Sequence, residues 1–287
     1  MLKIGLSING VGKKALDADN LSKMKSEGID AIEISLGRDL SLALDYERLA
    51  KDAKAAGIEL WSFHLPFMPF GEIDVSSTDE EIRKSSVAMC ADMIKKSTAI
   101  GIKKIVIHPS GEPIDEADRT SRIAAAKMSL AELCEAAALG GATLCVENLP
   151  RTCLGRDSSD ILELLSADGR LRVCFDTNHL LEEDITHFIR AVGNKIATVH
   201  VSDYDRLNER HWLAGEGSID WQTLYSELIE AGYSGVWMYE LPLEAQASIK
   251  RPRELFFSDF RSNAEQIFAG NKPTAIGTPA DGLVGWK

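Results

Sequence analysis

The chain lacks any long apolar run. Nothing in its 287 residues approaches the ~20 consecutive apolar positions of a bilayer-spanning helix, so no membrane partner is expected. It has few cysteines, at positions 90, 134, 145, 153 and 174, and no C-x-x-C pair. An odd, scattered set argues against a disulfide framework. The opening Met-Leu-Lys-Ile-Gly is already strand-like and lacks the order of an export signal; a reducing cytoplasm is the simplest home. Positive charge is also short: 32 Lys and Arg against 44 Asp and Glu leave a net −12. That balance suits no protein that tracks a phosphate backbone, and no nucleic-acid partner is favoured. No G-x-G-x-x-G follows the first strand-like run, which argues against a dinucleotide-binding open sheet.

What is present is ordinary globular chemistry, 45% hydrophobic and 26% charged, with a recurring unit. An amphipathic helix ends at a glycine and a short apolar strand follows. The helix-ending glycines are Gly28, Gly57, Gly101, Gly140, Gly169, Gly193 and Gly232, since glycine takes the left-handed stop conformation cheaply. The strands predicted are Lys3–Ile8, Ala31–Ser35, Glu59–Leu65, Lys104–His108, Thr143–Glu147, Arg172–Asp176, Ile196–His200 and Val236–Glu240, with a last helix over Arg253–Phe268. Near-continuous apolar runs such as Ile105-Val106-Ile107 fit a parallel sheet covered on both faces. Eight such units predict an α/β fold, a single (β/α)8 TIM barrel over 1–270, with a Gly- and Pro-rich tail at 271–287.

Active sites of such barrels lie at the C-terminal ends of the strands. Strand two contains Glu33 and strands three and four carry His64 and His108. Strands five to eight end in Glu147, Asp176, His200 and Glu240. A lone imidazole at a strand end, such as His108 before Pro109, is more often a hydrogen-bonded structural group, and Glu33 reads as structural, paired to a lysine or arginine. The joint pattern is harder to explain that way, because so many polar groups beside a core are costly without a partner. One divalent metal held by Glu147, Asp176, His200 and Glu240 is the economical partner. That mixed oxygen and nitrogen set favours Mn²⁺, Co²⁺ or Mg²⁺, with Zn²⁺ possible. His179, Arg206 and the run Glu209-Arg210-His211 follow in the adjoining loops. Asp220 fits an N-cap for the next helix. Trp212, Phe67 and Phe70 offer apolar walls for a sugar face or packing for the barrel rim.

These residues resemble the xylose-isomerase-like barrels, a superfamily that includes sugar and sugar phosphate isomerases and epimerases and the AP endonuclease 2 group with endonuclease IV. The resemblance covers roughly residues 1–268 and rests on Val146-Glu147-Asn148, Asp176-Thr177-Asn178-His179, Val199-His200-Val201-Ser202-Asp203 and Tyr239-Glu240. The ketose 3-epimerase branch implies metal binding by Glu147, Asp176, His200 and Glu240, and substrate contacts at His179 and Arg206. That branch carries a further Glu six residues after its strand-five ligand, where this chain has Cys153. The endonuclease IV branch implies a three-zinc cluster that also draws on His64, His108, Glu209 and His211, with Glu209 where that branch has Asp. A homodimer or homotetramer is implied by the resemblance alone.

The expected activity is therefore a metal-dependent sugar or sugar phosphate isomerase or epimerase working through a metal-stabilised enediolate. Glu147 and Glu240 would move the proton, while His64, His108, His179, Arg206, Glu209 and His211 would bind the small-molecule sugar. Arg151, Arg156, Arg206 and Arg210 are the loop arginines that could hold a phosphate. Two alternatives use the same residues: a keto-sugar or inositol lyase or dehydratase, and an endonuclease IV-like zinc phosphodiesterase on abasic DNA.

Overall fold

Every predicted strand forms. The computed structural model describes residues 1–9, 11 and 16–286. Its barrel strands are β1 (Lys3–Ser7), β2 (Ala31–Ser35), β3 (Glu59–His64), β4 (Lys104–Ile107), β5 (Thr143–Glu147), β6 (Arg172–Asp176), β7 (Ile196–His200) and β8 (Val236–Tyr239). They pair in parallel in the order β7-β6-β5-β4-β3-β2-β1-β8. A parallel bridge between Val201 and Tyr239 joins the two ends, with Val201 N–H donating to Met238 O at 2.8 Å and Glu240 N–H to Val201 O at 3.1 Å. Ile8, Leu65, His108 and Glu240 fall just past the ladders that were expected to include them.

The intervening helices are α1 (Ala18–Ser26), α2 (Arg38–Leu42), α3 (Tyr46–Ala56), α4 (Glu80–Ala99), α5 (Arg119–Leu139), α6 (Ser158–Leu165), α7 (Ile185–Val192), α8 (Trp221–Glu230) and α9 (Phe257–Phe268). Aspartate begins many of them. Asp17, Asp45, Asp79, Asp157, Asp184 and Asp220 each accept a first-turn N–H, satisfying donors that have no partner inside the helix. The last helix starts at Phe257 rather than Arg253 because Asp259 reaches back to the Phe256 N–H at 2.7 Å and also pairs with Arg253. Among the described residues no helix is long and apolar enough to cross a membrane.

Most of the core lies between strands and helices. The barrel interior is filled by smaller groups, Ala31, Val236 and Met238 on one side and Val106, Cys145 and Cys174 on the other. All five cysteines are free. Two-residue strands β9 (Ile249–Lys250) and β10 (Thr278–Pro279) pair antiparallel, tying the C-terminal segment to the loop after β8.

The loop from β7 to α8 is organised by one buried carboxylate. Asp203 accepts from the N–H groups of Tyr204, Gly215 and Ile219 and from Trp221 Nε1, all at 2.8–3.1 Å. Its backbone also exchanges hydrogen bonds with Trp212, so residues 204–211 form a closed excursion over the barrel mouth. Gly217 passes so near that an added Cβ would lie 2.3 Å from Tyr204 O and 2.4 Å from Asp203 Oδ1. Gly217→Ala is expected to destabilise by roughly 1–3 kcal/mol, read by urea denaturation; an unchanged midpoint would show that this loop yields freely.

Candidate metal centre and active-site pocket

Strands β5 to β8 deliver four acidic or imidazole groups to one point. Glu147, Asp176, His200 and Glu240 each offer one ligand atom, all within 4.8 Å of one another, and each residue is at most 5% exposed. His200 Nδ1 lies 3.1 Å from Glu147 Oε1, 3.1 Å from Glu240 Oε2 and 3.8 Å from Asp176 Oδ2. Asp176 Oδ2 is buried with no hydrogen-bond donor among the described residues. Three buried carboxylates around one imidazole nitrogen, one of them with an uncommitted oxygen, suit a divalent cation.

Outer partners fix the orientation of these groups. Glu33 was expected to pair with a lysine or arginine. Its carboxylate instead faces His200 Nε2 at 3.0 Å, inside the barrel, and accepts the Ser62 hydroxyl at 2.8 Å. Since a carboxylate accepts, His200 donates Nε2–H to Glu33 and turns Nδ1 toward the three acids. Asn148 clamps Asp176 through its backbone: the side-chain Oδ1 accepts the Asp176 N–H at 2.8 Å and Nδ2 donates to Asp176 O at 3.0 Å.

Five of the chain's six histidines belong to this centre, and backbone carbonyls set the orientation of three. His64, His179 and His211 donate Nδ1–H to the carbonyls of Leu65, Asn148 and Glu240 at 2.9, 2.9 and 3.0 Å, which leaves Nε2 for the site. His64 Nε2 reaches Glu147 Oε2 at 3.0 Å and His108 Nε2 reaches the same oxygen at 3.3 Å. His179 Nε2 lies 3.4 Å from Glu209 Oε2. Among the described residues, three further groups bring ligand atoms together: His64, His108 and Glu147; His179, Glu209 and His211; and Glu147, Cys174 and His200, which shares two residues with the central four. His187, the sixth, is exposed on α7.

The field follows from this packing. Burial disfavours the charged form of His64, yet the carboxylates of Glu147, Glu33 and Glu240 raise its pKa to about 9. For His179 the acids Asp176, Glu209 and Glu147 overcome the same penalty and raise it to about 10. Burial, with the charges of Glu240 and Glu147, pushes Asp176 up to about 6 against the pull of His179. Burial resists ionisation of Glu147 as well, but His200 and His108 hold it well below the usual carboxylate range. His108 is held below the ordinary histidine range, chiefly by burial.

Above the centre opens a pocket of about 240 Å³, below the roughly 300–1,000 Å³ of most ligand pockets and of a size for one small sugar. Its floor includes Glu147, Glu240, His108, His179, Glu209 and His211, and its walls include Phe67, Met68, Phe70, Leu149 and Pro150. Phe67 stacks on His108 with ring centroids 4.0 Å apart. Trp212 is fully buried and donates Nε1–H to Ser248, so it serves the core rather than the wall. His64 sits beneath the floor, against Glu147, rather than lining it. Arg206 is exposed and lines a separate crevice beside Asp184 and Asp220; its loop turns outward there, at φ +63°. Arg156 pairs with Glu116, and Arg210 with Asp205 and Val284 O. Sequence reading missed Asn9 and Glu112, which line the pocket beside Arg151 and Cys153; nothing local in their sequence marks them.

Comparison with known proteins agrees with this architecture. A family model described as xylose isomerase-like TIM barrel matches residues 21–256. Uncharacterized protein MJ1311 of Methanocaldococcus jannaschii is 28% identical over 58% of this chain, which spans only 60% of that relative. Fructoselysine 3-epimerase of Shigella flexneri is 26% identical, covering 87% of this chain and 97% of its own. A protein named probable endonuclease 4, from Thermoplasma acidophilum, is 24% identical over 59% of this chain and 62% of its own. The solved structure of a D-tagatose 3-epimerase-like protein superposes with a TM-score of 0.78 at 21% identity, covering 93% and 97% of the two chains.

Proposed function

Because the chain belongs to the xylose isomerase-like TIM-barrel family, we propose that it is a divalent-metal-dependent isomerase or epimerase of a small sugar or sugar phosphate. The observation that carries this reading is the convergence of Glu147, Asp176, His200 and Glu240 on one point beneath the pocket. These four would hold the ion, and three carboxylates with one imidazole favour Mn²⁺, Co²⁺ or Mg²⁺ over Zn²⁺. A divalent cation bound there would polarise a ketose carbonyl and its neighbouring hydroxyl, making the adjacent C–H more acidic.

The proton work falls to the two pocket glutamates. Among the described residues, Glu240 Oε1 receives only a long 3.5 Å contact from Asn9 Nδ2, so it keeps a lone pair able to accept a carbon-bound proton. Glu147 enters from β5 and has both oxygens against imidazoles, Oε1 at His200 and Oε2 at His64 and His108. One carboxylate removes the proton and the other returns one to the opposite face, which inverts the carbon; return to the neighbouring carbon interconverts ketose and aldose. His179 and His211 present Nε2 to substrate oxygens.

Glu33 is expected to tune this centre. Glu33→Gln removes the charge behind His200 Nε2 while keeping an acceptor, and a 10–100-fold weaker metal affinity is expected. A chelating dye in competition would measure it, and unchanged affinity would reduce Glu33 to a packing group.

A second reading has its own observation. The groups His64, His108 and Glu147, and His179, Glu209 and His211, accompany the central four, the first sharing Glu147 with them, an arrangement that suits a multi-zinc phosphodiesterase. The test for both is elemental analysis of protein purified without chelators, together with deuterium uptake from solvent by a panel of ketoses. About one Mn, Co, Mg or Fe per chain with carbon-bound deuterium supports the first reading. Two or three Zn per chain, with cleavage of an abasic duplex and no deuterium uptake, would replace it with the second.

A further inference from the structure

Arg151 is the one lysine or arginine among the described residues lining the pocket, and each of its three guanidinium nitrogens already has a partner. Nε–H donates to Glu112 Oε2 at 2.9 Å and Nη2 to Glu112 Oε1 at 2.5 Å. Nη1 donates to Asn208 Oδ1 at 3.1 Å and also lies 3.1 Å from Glu209 Oε1. The forked face of a guanidinium is what grips the oxygens of a phosphate, and here Glu112 occupies it. Two carboxylates on one guanidinium, with His179 also against Glu209 at 3.4 Å, leave that wall no unpaired positive charge among the described residues to offer a phosphate. The other loop arginines expected as phosphate ligands are paired elsewhere or turned away from the pocket.

We propose that Glu112 is a specificity-determining residue: by occupying the forked face of Arg151 it makes the pocket select an uncharged ketose and reject its phosphate ester. This inference rests on the sugar isomerase or epimerase reading of the site and decides which substrate class it takes. The carboxylates of Glu112 and Glu209 offer acceptors to sugar hydroxyls, while Phe67 and Phe70 supply a face for carbon-bound hydrogens. A terminal phosphate would have to displace Glu112 or sit unpaired beside it, and a like charge at such a distance is repelled.

The test compares deuterium incorporation into five- and six-carbon ketoses and their terminal phosphates, using the metal-loaded full chain. The wild type is expected to favour the uncharged ketose by roughly tenfold or more in kcat/KM, a difference of about 1.4 kcal/mol. Glu112→Gln frees the Arg151 fork and is expected to shrink that ratio by a similar factor, mainly through a lower KM for the phosphate ester. Adding Arg151→Gln to the same chain is expected to remove that gain. Inorganic phosphate as a competitor of the wild type gives a reading that needs no variant to fold, and it is expected not to compete in the millimolar range. A wild type that prefers phosphate esters, competition by millimolar phosphate, or a ratio unmoved by Glu112→Gln would overturn the inference and leave the isomerase reading standing. Uptake with neither class would overturn that reading and the inference together.

Discussion

Glu240→Gln is expected to slow exchange of a substrate's carbon-bound hydrogen by roughly 10²–10⁴-fold, the usual worth of a positioned acid–base group. Two effects converge on this residue. Glu240 Oε2 stands 3.1 Å from His200 Nδ1, so the amide removes one of three anionic ligands from the proposed ion. Among the described residues only Asn9 donates to Oε1, at 3.5 Å, so the same change removes the proposed proton acceptor. Metal analysis separates the effects. A variant that keeps its metal but loses exchange places Glu240 in proton transfer, and one that loses both places it first among the ligands. Exchange within about threefold of wild type would refute the assignment of Glu240 to either task. Glu147→Gln is expected to be at least as damaging, because Glu147 also anchors His64 and His108.

Much of the barrel was legible because its signals are local. Apolar triplets after glycine stops predicted β2, β5, β6 and β7 with their observed limits, and the residues ending β5 to β7, with Glu240 after β8, do meet. What escaped depends on closing the sheet. Glu33 and His200 are 167 residues apart in sequence, and only the barrel brings the second strand against the seventh, so no local pattern could replace an expected lysine or arginine by this histidine. Arg206 was read by its distance from His200. That spacing fixes the number of residues but not the direction of the chain, and the turn organised by Asp203 sends Arg206 outward while Glu209 and His211 come back to line the pocket. Glu112 belongs to the same class. Its meaning lies in the Arg151 fork, which a different loop supplies.

The buried pair Arg251–Glu216 gives the largest expected effect on stability. Their side chains are 1% and 0% exposed, with Nη2 and Oε2 2.7 Å apart. Glu216 also accepts the N–H of Leu213 at 2.9 Å and that of Gly277 at 2.7 Å. One carboxylate thus joins the β7–α8 loop, the segment after β8 and the C-terminal stretch. Replacing the pair by well-packed apolar groups need not destabilise, since two buried charges repay their desolvation only partly. Removing one partner is different. Arg251→Ala leaves Glu216 buried with two backbone donors and no counter-charge, for which a loss of about 3–5 kcal/mol is expected, seen as a melting temperature lower by roughly 10 °C. The damage should extend to the site, because the loop that Glu216 anchors at Leu213 carries Glu209 and His211. Activity assayed well below the new melting temperature should therefore fall through KM, as the pocket floor loosens, with little change in kcat. A loss under about 1 kcal/mol would mean that solvent reaches Glu216 once Arg251 is gone, and that the C-terminal stretch is held by β9 and β10 instead.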